Sequence, residues 1–258
     1  MSGFLFEQII FGPIRSRRLG ISLGVNLLPL NKKLCSFNCL YCECGWTLPK
    51  TGKAVFPERE EIKMELEQRL ASMQTKNAML DAITFAGNGE PTLHPAFAEI
   101  IDDTIALRNK FYPGANITVL SNASKAGKPH IAAALKKIEQ NVLKLDAGTE
   151  ETFQKINNPK SGFTLAEILE NLSLFKGQMI IQTLFVKGSH QGEPFDNTTE
   201  EELLAWLGHI ERLQPKLVMI YPIARATPTE DVQKISPDKL WEIARRVEAL
   251  GIATEVYN

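Results

Sequence analysis

A chain of 258 residues with 44% hydrophobic and 23% charged side chains can build one large core or two small ones, which excludes a disordered or fibrous protein. Its formal net charge of −1 supplies no global basic field for nucleic acid. No apolar run approaches the ~18 residues of a membrane helix, and the apolar opening precedes Arg15, Arg17 and Arg18 rather than following charge, so a cytoplasmic protein with no membrane attachment is expected.

In chain order, an entry segment over 1–20 leads to a predicted strand at Ile21–Leu28, then a cysteine-bearing stretch and a helix at Glu58–Met73. Strands at Ala82–Phe85, Ile117–Leu120, Val142–Leu145, Met179–Val186, Leu217–Tyr221 and Ile252–Val256 alternate with helices at Pro95–Lys110, Lys128–Gln140, Thr164–Phe175, Thr199–Arg212 and Pro237–Leu250. Helix starts carry their usual signals: Pro57 before Glu58, Glu60 and Glu61, and the N-cap Ser236 before Pro237. Such alternation reads as βαβ units around a parallel sheet, open or partly closed into a barrel, in a single domain over 1–258 whose sheet region is 21–258. In both geometries the functional face lies at the C-terminal ends of the strands.

All four cysteines fall between Cys35 and Cys44, which favours a metal site over a disulfide framework. Cys35, Cys39 and Cys42 have the spacing C-x3-C-x2-C. Three thiolates can hold three irons of a four-iron cluster and leave the fourth open to a small molecule, whereas most structural clusters use four cysteines. Two alternatives stand beside this: a zinc site using all four cysteines, and an electron carrier in which Cys44 closes the cluster. Cys44 is otherwise a bystander or a hydrogen donor.

This spacing, with Tyr41 just before the last cysteine, resembles the signature of the radical S-adenosylmethionine (SAM) superfamily. The resemblance implies a partial (β/α)6 TIM-like barrel, a [4Fe–4S] cluster on Cys35, Cys39 and Cys42, and SAM chelated by the open iron and cleaved to methionine and a 5′-deoxyadenosyl radical that abstracts hydrogen from a substrate. Gly87-Asn88-Gly89-Glu90-Pro91, after the second predicted strand, resembles the family's GGEP motif for the SAM amino group, with Asn88 where the first glycine usually stands. Ser121 and Asn122, then Lys144 and Asp146, match by position the polar strand ends that contact the SAM carboxylate and ribose. As plain residues, Asn122 is a turn former and Lys144 and Asp146 a solvated strand end. Tyr221 opens the apolar segment Tyr221–Ala224 that could flank adenine.

Substrate contacts are assigned to Arg17, Arg18, Gln182, His190 and Arg225. The arginines suit phosphate or carboxylate but also a solvated surface. Gln182 needs a partner inside an apolar strand, and His190 sits in a glycine-rich loop, 187–193, that reads as a lid or a connector. The motifs around Phe11–Gly20, Ser22–Asn26 and Phe85–Pro95 look like an iron–sulfur oxidoreductase subgroup related to the tRNA wybutosine synthesis enzyme; no cysteine precedes Cys35 here, so the second cluster of that enzyme, and its reaction, are not expected. The expected partners are a flavodoxin- or ferredoxin-type electron donor and a substrate that is a small molecule, an RNA, or a protein such as a glycyl-radical enzyme.

Overall fold

The computed structural model describes residues 4–47, 54–160 and 162–257. Among the described residues seven strands run parallel in chain order: β2 (Gly20–Val25), β3 (Ala82–Phe85), β4 (Asn116–Ser121), β5 (Gln140–Lys144), β6 (Ile180–His190), β8 (Leu217–Pro222) and β10 (Thr254–Val256). Sequential order means that the sheet winds in one direction, as in a (β/α) barrel, and lacks the order reversal of a doubly wound sheet. It stays open, with β1 (Ile10–Ser16) antiparallel to β2 at one edge and the three-residue β10 at the other. The fold is the partial TIM-like barrel expected.

The strands are interior because both of their faces are apolar or internally paired. All four residues of β3 are buried, and Ser22 of β2 and Thr84 of β3 satisfy each other at 2.7 Å. Each helix buries one stripe. Leu240, Ile243, Ala244 and Val247 form that stripe on α7 (Pro237–Glu248), at the spacing of a single helix face. Side-chain caps set several starts: Ser236 for α7, Thr199 for α6 (Glu200–Leu213), and a reciprocal Thr164–Glu167 capping box for α5 (Leu165–Ser173). Helices α1 (Arg59–Thr75), α2 (Phe97–Phe111) and α3 (Pro129–Leu135) complete the first half. The short α4 (Glu150–Thr152) widens into a π turn over Phe153–Asn157.

Three expectations are corrected. The entry segment is not a lead-in: it forms β1 and a hairpin with β2. The third predicted helix ends at Leu135 rather than Gln140, because Gln140 and Asn141 pair with Thr118 and Val119 of β4. The glycine-rich loop 187–193 is neither a lid nor a simple connector. β6 runs to His190 and returns as β7 (Glu193–Asp196) through Gln191 and Gly192, whose φ values of 53° and 83° are those of a two-residue type I′ turn. A short β9 (Val232–Lys234) pairs with the same extension.

Candidate active site at the strand ends

The cysteine loop leaves β2 and is pinned on both sides. On one side Leu34 bridges Gly89: the Leu34 amide donates to the Asn88 carbonyl at 2.8 Å and the Glu90 amide donates to the Leu34 carbonyl at 3.1 Å. A β-carbon on Gly89, at φ +139°, would lie 1.9 Å from the Leu34 carbonyl oxygen, so glycine is required there. On the other side the Asn38 and Leu40 amides donate to the carbonyls of Asn158 and Ile156 in and just after the π turn, both at 3.0 Å. The loop thus closes over the C-terminal ends of β3, β4 and β5.

Cys35, Cys39, Cys42 and Cys44 line one cavity of about 150 Å³ with Gly87, Gly89, Glu90, Ser121, Asn122, Lys144, Gln182 and Tyr41. The four thiols all face this one cavity. Thiolates that each hold a different iron need only face one cavity. The donors around them suit an anionic group. The Phe37 amide and Asn122 Nδ2 reach Cys35 Sγ at 3.5 and 3.6 Å, and Asn157 Nδ2 reaches Cys39 Sγ at 3.5 Å. Buried Lys33, held by the Gly45 carbonyl at 2.7 Å, gains charge stability: burial opposes its charged form, but the electrostatic pull of the neighbouring Cys42, Cys35 and Cys39 outweighs it and raises its pKa.

The thiols themselves differ. Burial pushes Cys35 up to about 12 and also raises Cys39. A hydrogen bond from Cys44, aided by Lys33, holds Cys42 well below the usual thiol range. Cys44 is raised by that same bond to Cys42, and its thiol also points to the Gly87 carbonyl at 3.4 Å.

Glu90 is 1% exposed and nearly saturated. It accepts from the Thr92 amide and hydroxyl, from Ser121 Oγ at 2.8 Å and from the Asn122 amide at 2.7 Å. Burial raises its pKa against these bonds. Asn122 is likewise engaged, donating to Ser36 Oγ at 2.9 Å and accepting from the Ser124 amide at 3.0 Å. These residues face the cavity while bracing the ends of β3 and β4 against the cysteine loop.

Lys144 and Asp146 are not a solvated strand end. Lys144 lines the cavity, and although burial works against its charge, Asp146 and Tyr221 keep its pKa raised. Asp146 is absent from the cavity wall and sits behind it. There it accepts from Tyr41 Oη and from Asn157 Nδ2 (2.8 Å), lies 3.5 Å from Lys144 Nζ and receives the Leu184 amide at 2.9 Å. Its place is that of a support for Tyr41 and Lys144, behind the wall that they line. Burial and the Asp146 charge raise the Tyr41 phenol, keeping it a proton donor.

A second cavity of about 310 Å³ adjoins the first, sharing Tyr41 and Leu120. It holds Tyr221, Arg17, Arg18 and Arg225, so Tyr221 stands here rather than in the cysteine cavity. Tyr221 Oη still joins the two, meeting Lys144 Nζ at 3.2 Å and accepting from Gln182. Arg225 is paired with Glu43 at 2.6 Å. His190, on the β6–β7 hairpin, lies outside the lining of both cavities, its ring 5.6 Å from that of Trp46.

Four site residues escaped the sequence reading: Lys33, Ser36, Asn157 and Asn26. Asn157 had no motif to mark it, because its position depends on the π turn. Asn88 replaces a glycine for a visible reason. Its amide group takes the Phe6 amide at 2.8 Å and gives to the Phe6 and Pro29 carbonyls, both at 2.9 Å, and so ties the segment before β1 to the site. Asn26 Oδ1 in turn receives the Asn88 amide at 3.1 Å.

Residues 33–207 match the family described as "Radical SAM superfamily". A UPF0026 protein of Helicobacter pylori (strain ATCC 700392 / 26695) is 35% identical over 249 residues, 95% of this chain and 75% of the relative. A UPF0026 protein of Methanocaldococcus jannaschii is 31% identical over 248 residues, 94% and 70% respectively. Among solved structures, a radical SAM methyltransferase from Sphaerobacter thermophilus has a TM-score of 0.63 at 14% identity, covering 92% of this chain and 65% of that one, slightly under two thirds. TYW1 with a lysine-pyruvate adduct bound has a TM-score of 0.59 at 17% identity, covering 88% and 73%. Identities this low speak for the fold alone. The match over 33–207 speaks for lineage, and the chain belongs to the radical SAM superfamily.

Proposed function

We propose that the protein is an enzyme that reductively cleaves SAM at a [4Fe–4S] cluster and uses the resulting radical to abstract hydrogen from a substrate. One observation carries this reading: Cys35, Cys39 and Cys42 share a cavity with the loop Gly87–Glu90 and the strand ends Ser121, Asn122 and Lys144. The family implies both groups, and the donors directed at the sulfurs fit an anionic cluster. When bound, the cluster would supply the one electron that reductive cleavage of the SAM sulfonium requires.

The chain's own residues bind and orient. Cys35, Cys39 and Cys42 would hold the cluster through their thiolates. Glu90 Oε2 accepts only the Asn122 amide, which leaves it room for an ammonium group beside the Gly87 and Gly89 backbone. Lys144, held positive by Asp146, offers a cation to a carboxylate or ribose oxygen. An external flavodoxin- or ferredoxin-type protein serves as electron donor.

The test is anaerobic reconstitution with iron and sulfide, addition of a strong reductant and SAM, and mass spectrometry of products. The expected result is 5′-deoxyadenosine and methionine in equal amounts, lost in Cys39→Ala. Full iron loading with neither product favours an electron carrier with Cys44 as fourth ligand.

A further inference from the structure

We infer that the cavity beside the cysteine site is a subsite for a small organic oxyanion, a carboxylate or phosphate on an apolar body, and that Arg18 is its anchor. The inference rests on the reading above, which leaves the substrate open.

The cavity wall carries four arginines (15, 17, 18 and 225) against one carboxylate, Glu43. Glu43 is engaged with Arg225. Among the described residues Arg18 Nη1, itself buried, meets no hydrogen-bond acceptor. A buried guanidinium donor without an acceptor is costly, and native structures leave few such groups. Its position is built. Ser16 Oγ accepts the Arg18 and Leu19 amides, each at 3.2 Å, which fixes the β1–β2 turn, and the guanidinium lies 4.8 Å from the centre of the Tyr221 ring. Tyr221 is bonded in turn to Lys144 and Gln182 of the cysteine cavity. An anion on Arg18 is therefore one ring away from the residues facing the proposed radical source.

The remaining wall mixes apolar side chains with the hydroxyls of Ser16, Ser22, Thr84 and Tyr257. Phe6 and Phe11 stack at 3.8 Å, with Ile223 and Leu184 also on the surface. A volume of about 310 Å³ suits a small molecule, at the lower end of the usual range for ligand pockets. The guanidinium's planar fork matches carboxylate and phosphate, and a shielded site strengthens the pairing.

The experiment uses the reconstituted holoenzyme with SAM and measures equilibrium binding of phenyl phosphate, phenylacetate and neutral phenylacetamide, together with a short RNA hairpin. The expected result is that one or both anions bind, the amide does not, and Arg18→Gln weakens the anion about ten- to a hundredfold. Arg18→Lys should recover part of the loss. The SAM-induced change in the cluster's paramagnetic resonance should be unaltered in both variants, which also shows that they fold. Equal binding of amide and anion overturns the inference, as does unchanged affinity in Arg18→Gln, or wild-type protein that binds neither anion at millimolar concentration. Loss of SAM affinity alone in Arg18→Gln would assign the arginine to SAM. Arg18-dependent RNA binding tighter than that of the small anions would overturn the small-molecule class. Failure of wild-type protein to respond to SAM at all is a separate result and strikes the radical SAM reading instead.

Discussion

The two adjoining cavities are built on opposite plans. In and behind the wall of the cysteine cavity nearly every polar side chain is already used by another: Glu90 accepts four bonds, Asn122 braces Ser36, and Asp146 supports Tyr41 and Asn157. In the arginine cavity the charge is lopsided and a buried donor on Arg18 is left over. The first plan fixes a cofactor in one geometry, because preorganised groups need no rearrangement when it binds. The second leaves an interaction unmade, to be completed by something that comes and goes.

The sharpest way to break this comparison is through the cysteines. Cys35→Ala, Cys39→Ala and Cys42→Ala should each abolish the iron–sulfur chromophore, while Cys44→Ala retains about four irons per chain. If Cys44→Ala loses the cluster and one of the other three is dispensable, the ligand set is wrong.

Glu90 tests whether the cysteine cavity is braced as described. Glu90→Ala leaves buried donors on Thr92, Ser121 and Asn122 without an acceptor, a cost of about 1–3 kcal/mol for each unsatisfied group before relaxation. A fall in Tm of roughly 5–10 °C is expected. Glu90→Gln, whose carbonyl oxygen can still serve Thr92 and Ser121, should lose less than half of that. Equal and small shifts in both variants would mean that Glu90 is free for SAM and braces nothing.

Gly89→Ala drives a β-carbon to 1.9 Å from the Leu34 carbonyl and must break the clip between the two loops. A destabilisation of roughly 2–4 kcal/mol is expected from chemical denaturation, since the chain also resists φ +139° at any residue but glycine. Gly114, whose β-carbon would meet nothing within 4 Å, is the control and should tolerate alanine within about 0.5 kcal/mol.

The smallest effect is one of reactivity. In cluster-free protein Cys42 has a lowered pKa and Cys35 and Cys39 raised ones, so iodoacetamide should label Cys42 first at pH 7. The sign follows from the thiolate population. A lowered pKa keeps Cys42 ionised as pH falls from 7 to 6, whereas an ordinary thiol loses about tenfold in rate. In Cys44→Ala the hydrogen bond is gone and that resistance to acid should shrink. Earlier labelling of Cys35, read by peptide mass spectrometry, would contradict the assigned order.

What was legible in the sequence follows the same division. The parallel strands could be found because a strand buried on both faces is a continuous apolar run, as at Ala82–Phe85, where prediction and structure coincide. Cys35, Cys39, Cys42 and the loop around Glu90 were visible because each needs a fixed spacing in the chain. The β1–β2 hairpin was missed because Pro13, Ile14 and Arg15 are exposed in a row and Gly12-Pro13 breaks the alternation of a strand. Asn157 was missed because its contact with Cys39 depends on a π turn joining positions 118 residues apart. The significance of Arg18 was hidden for a related reason: a run of arginines reads as surface until the hairpin lays one of them on Tyr221.

The most direct test of the central claim is the electron paramagnetic resonance of the reduced, fully reconstituted protein with and without SAM. An iron left open by a three-cysteine ligand set must change its signal when SAM occupies it, and the account predicts a changed g-tensor on adding SAM in wild type and in Cys44→Ala alike. An identical spectrum with and without SAM, at full iron loading, would contradict it and make the cluster an electron-transfer centre.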